Sequence, residues 1–416
     1  MKKTVALLMA LCIIFALTAC GNSGGGGGSS PAGPTKETIK VGFIAPQTGI
    51  SAPSGIDLRD GFALYLKQKD GLLGGHKIDV IYEDCTGDPG TAAQKARKLV
   101  EQDNVSILSG TARTPDSYAI AEYSMPIKMP LILNGSTGDA HTKQNYNEYV
   151  FRVGLSASQC MFPLADYAYN VLGYRRIATM AMDNGFGHET VAAFQYEFER
   201  LGGKIVARVW NPNACLDFAP YLAQLPTDVD AVVVTQAGGD GLNFYPAYKA
   251  YGLTMPLLAS GSSTDESLLP GIGAPAIGTI SSSHFSAALD TPLMKSFVAD
   301  FKETYGRVPG FNAEVGYATG AIMDGLFDLM PGAFDIDILM NNFKGFEAVW
   351  ARGPIKIDQY NHPTENFYIR EVREVNGELQ NVVIHTYEMV SQFWVFNAEE
   401  MIALPPFGKD FPAFVG

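Results

Sequence analysis

Cysteine, positive charge and long apolar runs are all scarce in this chain. Five cysteines are spread over 416 residues. Cys12 and Cys20 sit near the N-terminus, which leaves Cys85, Cys160 and Cys215, an odd number at wide spacing that suits neither a disulfide framework nor a zinc site. Stability must therefore come from an apolar core, and 47% hydrophobic residues can supply one. Lys and Arg number 30 against 43 acidic residues, a formal charge of −13 that argues against nucleic acid or an anionic membrane surface as partner. Beyond the N-terminus no segment is long and apolar enough to cross a bilayer. HExxH, P-loop and CxxC motifs are missing, and the six histidines are scattered, which reads as surface or hinge positions. Gly271 to Ala276 matches a dinucleotide fingerprint in letters only, because it follows Pro270 rather than a strand and carries Pro275 in the turn. Neither an enzyme nor a cofactor is expected.

What is present begins with Lys2 and Lys3 before the apolar run Val5 to Leu17, which ends in Leu17-Thr18-Ala19-Cys20. A charged start, a short apolar stretch and small residues at the cut form a secretory signal over 1–19. Leu-Thr-Ala-Cys also resembles the lipobox of bacterial lipoproteins, which implies lipidation of Cys20 and an exported chain held at the membrane, on the cell surface or in a periplasm. Loss of Lys2 and Lys3 takes the charge from −13 to −15. Residues 20–34 continue as Gly, Ser, Asn, Ala and Pro, a flexible tether. The letters GxSxG at Gly21 to Gly25 fall within it and lack the strand-to-helix turn that a nucleophile needs.

The remaining length of about 380 residues suggests two domains. Strand and helix signals alternate. Ile39 to Ile44, Ile78 to Tyr82, Val105 to Leu108 and Pro130 to Leu133 read as strands, with helices carrying Leu58, Phe62 and Leu66, then Ala92 to Val100, then Asp116 to Ser124. The pattern restarts after Phe151-Arg152-Val153-Gly154. Strands at Arg176 to Ala181, Lys204 to Trp210, Ala231 to Thr235 and Pro256 to Ala259 alternate with helices near Gln159 to Leu172, His188 to Leu201 and Leu242 to Tyr251. Helices near Leu293 to Tyr305 and Glu314 to Leu329 follow, and Asn376-Gly377 joins strands Asn366 to Val372 and Leu379 to Tyr387 as a hairpin. The expected fold is α/β, with two doubly wound Rossmann-like domains.

Ligands in such sheets sit at the carboxyl ends of the strands, beside helix N-termini that favour anions. Three loops there are rich in small and hydroxyl residues: Pro46 to Gly55, Gly110 to Pro115 and Asn134 to Thr137.

Ile39-Lys40-Val41-Gly42-Phe43-Ile44 leading to Thr48-Gly49, then Asp84 to Pro89, Phe151-Arg152-Val153 and Asp183-Asn184-Gly185-Phe186-Gly187 resemble the leucine/isoleucine/valine-binding proteins. The resemblance implies a type I periplasmic binding protein with a three-crossover hinge. One lobe would hold 35–155 plus 286–364, the other 156–285 plus 365–416. It implies a small carboxylate held between closing lobes and delivered to an ABC transporter permease, or presented to a membrane receptor in a sensing role. The carboxylate clamp falls on Thr114, Gly135 and Thr137, with Ser136 between the last two. Ser54 would line the ligand's side chain, Phe186 would close over it, and Gln236 and Ser260 complete the set at strand ends of the second half.

Departures from the amino-acid binders bear on the ligand. The acid that pairs with the amino group falls on Gly261 and its helping Tyr on Ala237, while the family disulfide falls near Gly87 and on Arg113. A buried ammonium without a partner is costly, so an α-amino acid fits poorly unless Asp240, Asp265 or Glu266 substitutes. Gly202 to Val206, Phe218 to Leu222, Arg352-Gly353-Pro354 and Phe367 to Val372 resemble instead a branch that binds aromatic or other apolar carboxylates.

Overall fold

The computed structural model describes residues 36–414; the signal, Cys20 and all of the tether lie outside them. A first sheet forms from β1 (Ile39–Ala45), β2 (Leu72–Leu73), β3 (His76–Asp84), β4 (Ile107–Gly110), β5 (Leu131–Leu133) and β6 (Val150–Arg152), in the order β2-β3-β1-β4-β5-β6. From β3 to β6 the strands are parallel, with Val41 paired to Val80 on one side and Ile107 on the other. Three helices connect them: α1 (Ala52–Gln68), α2 (Pro89–Glu101) and α3 (Thr114–Ser124). Asp88 caps α2 by accepting from Thr91 N–H, with Pro89 in the first turn, as the sequence suggests.

The second sheet is built from β7 (Arg176–Met182), β8 (Lys204–Asn211), β9 (Ala231–Thr235), β10 (Leu257–Ser260) and β11 (Ile280–Ser283), all parallel. Its helices are α4 (Ala157–Asp166), α5 (Gly185–Arg200), α6 (Ala219–Leu222), α7 (Gly239–Ala250) and α8 (Leu269–Ile272). The chain then returns to the first sheet with α9 (Pro292–Tyr305), α10 (Phe311–Asp328) and α11 (Ile336–Phe343). It ends on the second sheet with β12 (Glu347–Trp350), β13 (Gly353–Ile357), β14 (Pro363–Val375), β15 (Glu378–Val390) and α12 (Ala398–Ala403). The β14–β15 turn falls on Asn376 and Gly377, both at positive φ.

Each sheet buries both faces, as parallel strands require. Phe43, Leu58, Phe62, Val315, Ile322 and Phe297 belong to one core of the first sheet, and Ile44, Leu99, Leu108 and Ile120 to the other. Phe162, Phe194, Val233 and Ile369 fill one side of the second sheet, and Met180, Val234, Phe244 and Leu268 the other. The β12–β13 hairpin is shared: its backbone pairs onto β14, yet Ile355 and Ile357 pack in the core of the first sheet.

A buried ionic cluster ties the three connections between the sheets. Arg352 meets Glu365 Oε2 and Glu314 Oε2, each at 2.6 Å, and donates to the Val153 carbonyl at 2.6 Å. The other Glu365 oxygen lies 2.8 Å from His284 Nδ1. Val153 follows β6, His284 follows β11, Arg352 precedes β13 and Glu365 lies in β14, so the cluster touches every crossing, His284 through Glu365. Although burial alone would raise it, Arg352 and His284 hold the Glu365 carboxyl below the usual range.

Candidate functional site

The carboxyl ends of both parallel sheets face one cleft, enclosing about 760 Å³, part of it open to solvent. Ser51 and Ser54 reach it from the start of α1, Ala112 to Pro115 from the start of α3, and Gly135 and Thr137 from the loop after β5. The facing wall is Met182, Asn184 and Phe186 at the start of α5 with Ala237, Gly238 and Asp240 at the start of α7. Gly239 N–H donates to the Ile50 carbonyl at 3.3 Å, so the two walls touch.

Thr114 and Thr137 come together with their hydroxyls 3.2 Å apart. Beside them the backbone N–H groups of Gly135 and Thr137 reach no acceptor among the described residues. A Cβ at position 135 would overlap Asn312 Oδ1, a buried oxygen without a hydrogen-bond partner, so any larger residue there must displace that side chain. Gly185, the first residue of α5, lies against the Thr114 methyl from the opposite wall. Two hydroxyls, free amides and two helix starts form a place for an anion.

An adjoining chamber of about 250 Å³ shares Thr137, Phe186, Ser262 and Phe311 with the cleft and continues between Leu155, Cys160, Ser260 and Gly261. Its walls are mostly apolar. Burial drives the Cys160 thiol up to about 11, so it stays neutral.

Among the sequence candidates, Ser54, Thr114, Gly135, Thr137 and Phe186 line the cleft, and Ser260 lines the adjoining chamber. Two side chains turn elsewhere. Ser136 Oγ bonds Ser117 Oγ at 2.6 Å within a buried polar network, and Gln236 pairs with Asn211 Oδ1 at 2.7 Å in the second sheet. Of the six histidines, His76, His141, His284 and His362 are buried, His284 at a crossing between the sheets, while His188 is half-buried and His385 exposed; His141 Nε2 lies 2.9 Å from Ser117 Oγ beneath the Gly135–Thr137 loop.

Of the three acids that were candidates to replace the missing ammonium partner, Asp240 and Asp265 line the cleft and Glu266 does not. Asp240 accepts Ala214 N–H at 3.0 Å and Cys215 N–H at 2.6 Å. Asp265 accepts Ser267 N–H at 3.0 Å, Ser267 Oγ at 2.6 Å and Phe311 N–H at 2.9 Å. Glu266 turns away to Arg370, 3.4 Å distant. Asp240 and Asp265 are thus already engaged through both oxygens, while Glu266 Oε2 stays buried without a partner. Burial and the facing Asp265 carboxylate push Asp57, at the start of α1, up to about 7.

Sequence reasoning missed Arg113, Phe311 and Asn312, all lining the cleft. Arg113 was noted only as the place of a missing cysteine. Its guanidinium packs over Gly87, where an added Cβ would meet Nη1 at 2.8 Å, and lies 3.7 Å from Asp116. The side chain thereby brings a cation to the cleft.

Comparison with known proteins gives the same answer from another direction. A family model described as "Periplasmic binding protein" matches residues 38–378. A Leu/Ile/Val-binding protein homolog 6 from Brucella melitensis biotype 1 is 29% identical over 367 residues, covering 85% of this chain and 92% of the relative. A solute-binding protein of an ABC transporter from Rhodopseudomonas palustris BisB5, solved with 3,4-dihydroxybenzoic acid, is 31% identical with a TM-score of 0.81, covering 85% of this chain and 98% of that one. A second, from Rhodopseudomonas palustris HaA2 with p-hydroxybenzoic acid, is 26% identical with a TM-score of 0.81, covering 86% and 98%. With two doubly wound sheets facing across one cleft and a family match over most of its length, the chain belongs to the periplasmic binding protein family.

Proposed function

We propose that this protein is the solute-binding component of an ABC importer, that it takes an aromatic or other apolar monocarboxylate into its cleft, and that it releases this ligand to a permease. The observation that carries the ligand class is the pairing of an anion-binding corner at Thr114, Gly135 and Thr137 with small, uncharged residues at Ala237 and Gly261. The carboxylate sits at that corner and the ring between Phe186 and Phe311, extending toward the chamber. Residues 35–155 plus 286–364 form one lobe and 156–285 plus 365–416 the other, closing as hinged bodies. The benzoate-type acids held by the two Rhodopseudomonas relatives support this reading.

A thermal-shift panel tests it. Benzoate, 4-hydroxybenzoate and phenylpyruvate should raise the melting temperature more than leucine, isoleucine or valine. A ligand at 100 times its Kd stabilises by about 2.7 kcal/mol, enough to read. A panel won by branched-chain amino acids would mean that Asp240 or Asp265 turns to hold the ammonium; shifts only from neutral amides or sugars would remove the anion corner.

We further propose that Cys20 carries a lipid after the signal is cut, and that the tether lets the lobes work next to the membrane. Cys20→Ala should move the protein from the membrane fraction to the soluble fraction, or stall its maturation. A version starting at Thr35 should keep full affinity for the winning ligand. Membrane retention of the Cys20 variant would count against the anchor.

A further inference from the structure

The loop from Gly135 to Asp139 carries the anion corner and, besides Ala157 N–H on the Thr137 carbonyl at 2.8 Å and Ser158 N–H and Oγ on the Asp139 carboxylate at 3.0 and 2.6 Å, is held by two further grips. Arg152 of β6 donates to the Ser136 carbonyl at 2.5 Å, to the Leu155 carbonyl at 3.0 Å and to the Gly138 carbonyl. That grip belongs wholly to the first sheet and its following connection. The second comes from across the cleft. Glu189 of α5 accepts from Tyr118 Oη of α3 at 3.0 Å through Oε1 and from Asp139 N–H at 2.8 Å through Oε2. Tyr118 also receives Ala140 N–H at 3.2 Å and stacks on His141 with ring centres 4.2 Å apart. His141 reaches Ser136 through Ser117. Every hydrogen bond of the Glu189 carboxylate therefore ends on the opposite lobe, and one ends on the clamp loop itself.

We propose that Glu189 is a positioning residue that couples lobe closure to formation of the anion clamp. When the lobes part, both of its hydrogen bonds are lost and Asp139 N–H is released, so the loop loses its tie to α5 while the Arg152 grip and the Ser117–Ser136 hydroxyl pair remain. When they close, Glu189 fixes the end of the loop and sets Gly135 and Thr137 against Thr114. The idea rests on the proposed carboxylate site, and it assigns to closure a part in building that site as well as in covering it.

Protonation gives the coupling a second readout. The groups facing Glu189 are Tyr118 of α3, Asp139 and His141 of the loop after β5, with Lys143 bonded to Asp139, and Arg152 of β6. Burial, then the Asp139 carboxylate, push the closed-state Glu189 carboxyl up to about 8, against the donors and Arg152. In the open state, facing water, it returns to an ordinary value of about 4.3. Closure therefore takes up a proton between these values. Affinity is fully present at low pH and declines as pH rises toward 8.

The experiment uses 4-hydroxybenzoate as probe and isothermal titration as readout. Glu189→Ala should raise Kd at least tenfold, while the ligand-free melting temperature stays within about a degree of wild type, because the open form makes neither bond. Tyr118→Phe should raise Kd less, and the double variant should add little to Glu189→Ala. Between pH 5.5 and 7.5 the wild-type Kd should rise with pH, and Glu189→Gln should flatten that slope by about one proton. An unchanged Kd in Glu189→Ala, or an equal melting loss with and without ligand, overturns the coupling. If no carboxylate binds the wild-type protein, the ligand class has failed. The coupling is then read from Tyr118→Cys with Glu189→Cys and a bis-maleimide long enough to replace the two lost side chains, since the Cβ atoms are too far apart for a disulfide; a cross-link upholds the contact and its absence overturns it.

Discussion

Replacing Arg352 with methionine should cost about 3–5 kcal/mol of stability, the loss expected when one partner of a buried ion cluster is removed. The change strands Glu314 and Glu365 without their cation and leaves the Val153 carbonyl without its donor. Glu314 Oε1 is already without a partner, so loss of Arg352 leaves that carboxylate with no side-chain cation among the described residues. Denaturant unfolding monitored by fluorescence measures the loss. The sharper comparison is Arg352→Met with Glu314→Gln and Glu365→Gln, which removes the stranded charges and should recover part of it. A loss below about 1 kcal/mol for Arg352→Met alone would show that the three crossings hold together without it.

The second large effect concerns binding. Thr114→Ala and Thr137→Ala should each weaken carboxylate binding by about 1.5–3 kcal/mol, roughly 10- to 150-fold in Kd, as for hydrogen bonds to a charged partner. Gly135→Ala should do at least as much damage by another route. Its methyl must displace Asn312 Oδ1, and Asn312 opens α10, so the loop or the helix start has to shift. Asn312→Ala should therefore partly rescue Gly135→Ala, and titration of the double variant checks it. Equal affinity in Gly135→Ala and wild type would remove the free amides of this loop from the site.

The parallel strands were legible because their apolar runs are short, β-branched and bounded by Gly, Pro or Asn. Ala231–Thr235 and the strand starting at Ile39 agree with expectation to within a residue. β11 was not legible. Its sequence is Ile-Ser-Ser-Ser, all three serines are buried, and Ser281 meets Thr264 Oγ1 at 2.9 Å and Arg370 at 3.2 Å. A strand of hydroxyls looks like a loop until its partners arrive from 90 residues away. The same holds for Arg352 and Arg370, which composition assigns to the surface and tertiary pairing draws into the interior. β12 and β13 were missed because their apolar residues serve one sheet and their backbone the other. At the site, the hydroxyl and glycine corner was readable because its residues lie in two loops at strand ends. Phe311, Asn312 and Arg113 were not, since Phe311 and Asn312 join from a helix nearly 200 residues downstream and Arg113 had been judged only by what it replaced.

The order in which the first sheet acquires its cover sets a clock for folding. Its five parallel strands end at Arg152, but α9 and α10, which pack over β1 and α1, begin only at Pro292 and Phe311. During synthesis, more than 100 residues of the second sheet emerge before that apolar face can be covered. Contacts so distant along the chain slow folding. For a protein that leaves the cytoplasm, as proposed here, the delay keeps the newly made polypeptide loose enough to be threaded outward. A circular permutant starting near Pro292, which brings α9 and α10 to the front, should fold sooner and be secreted less well.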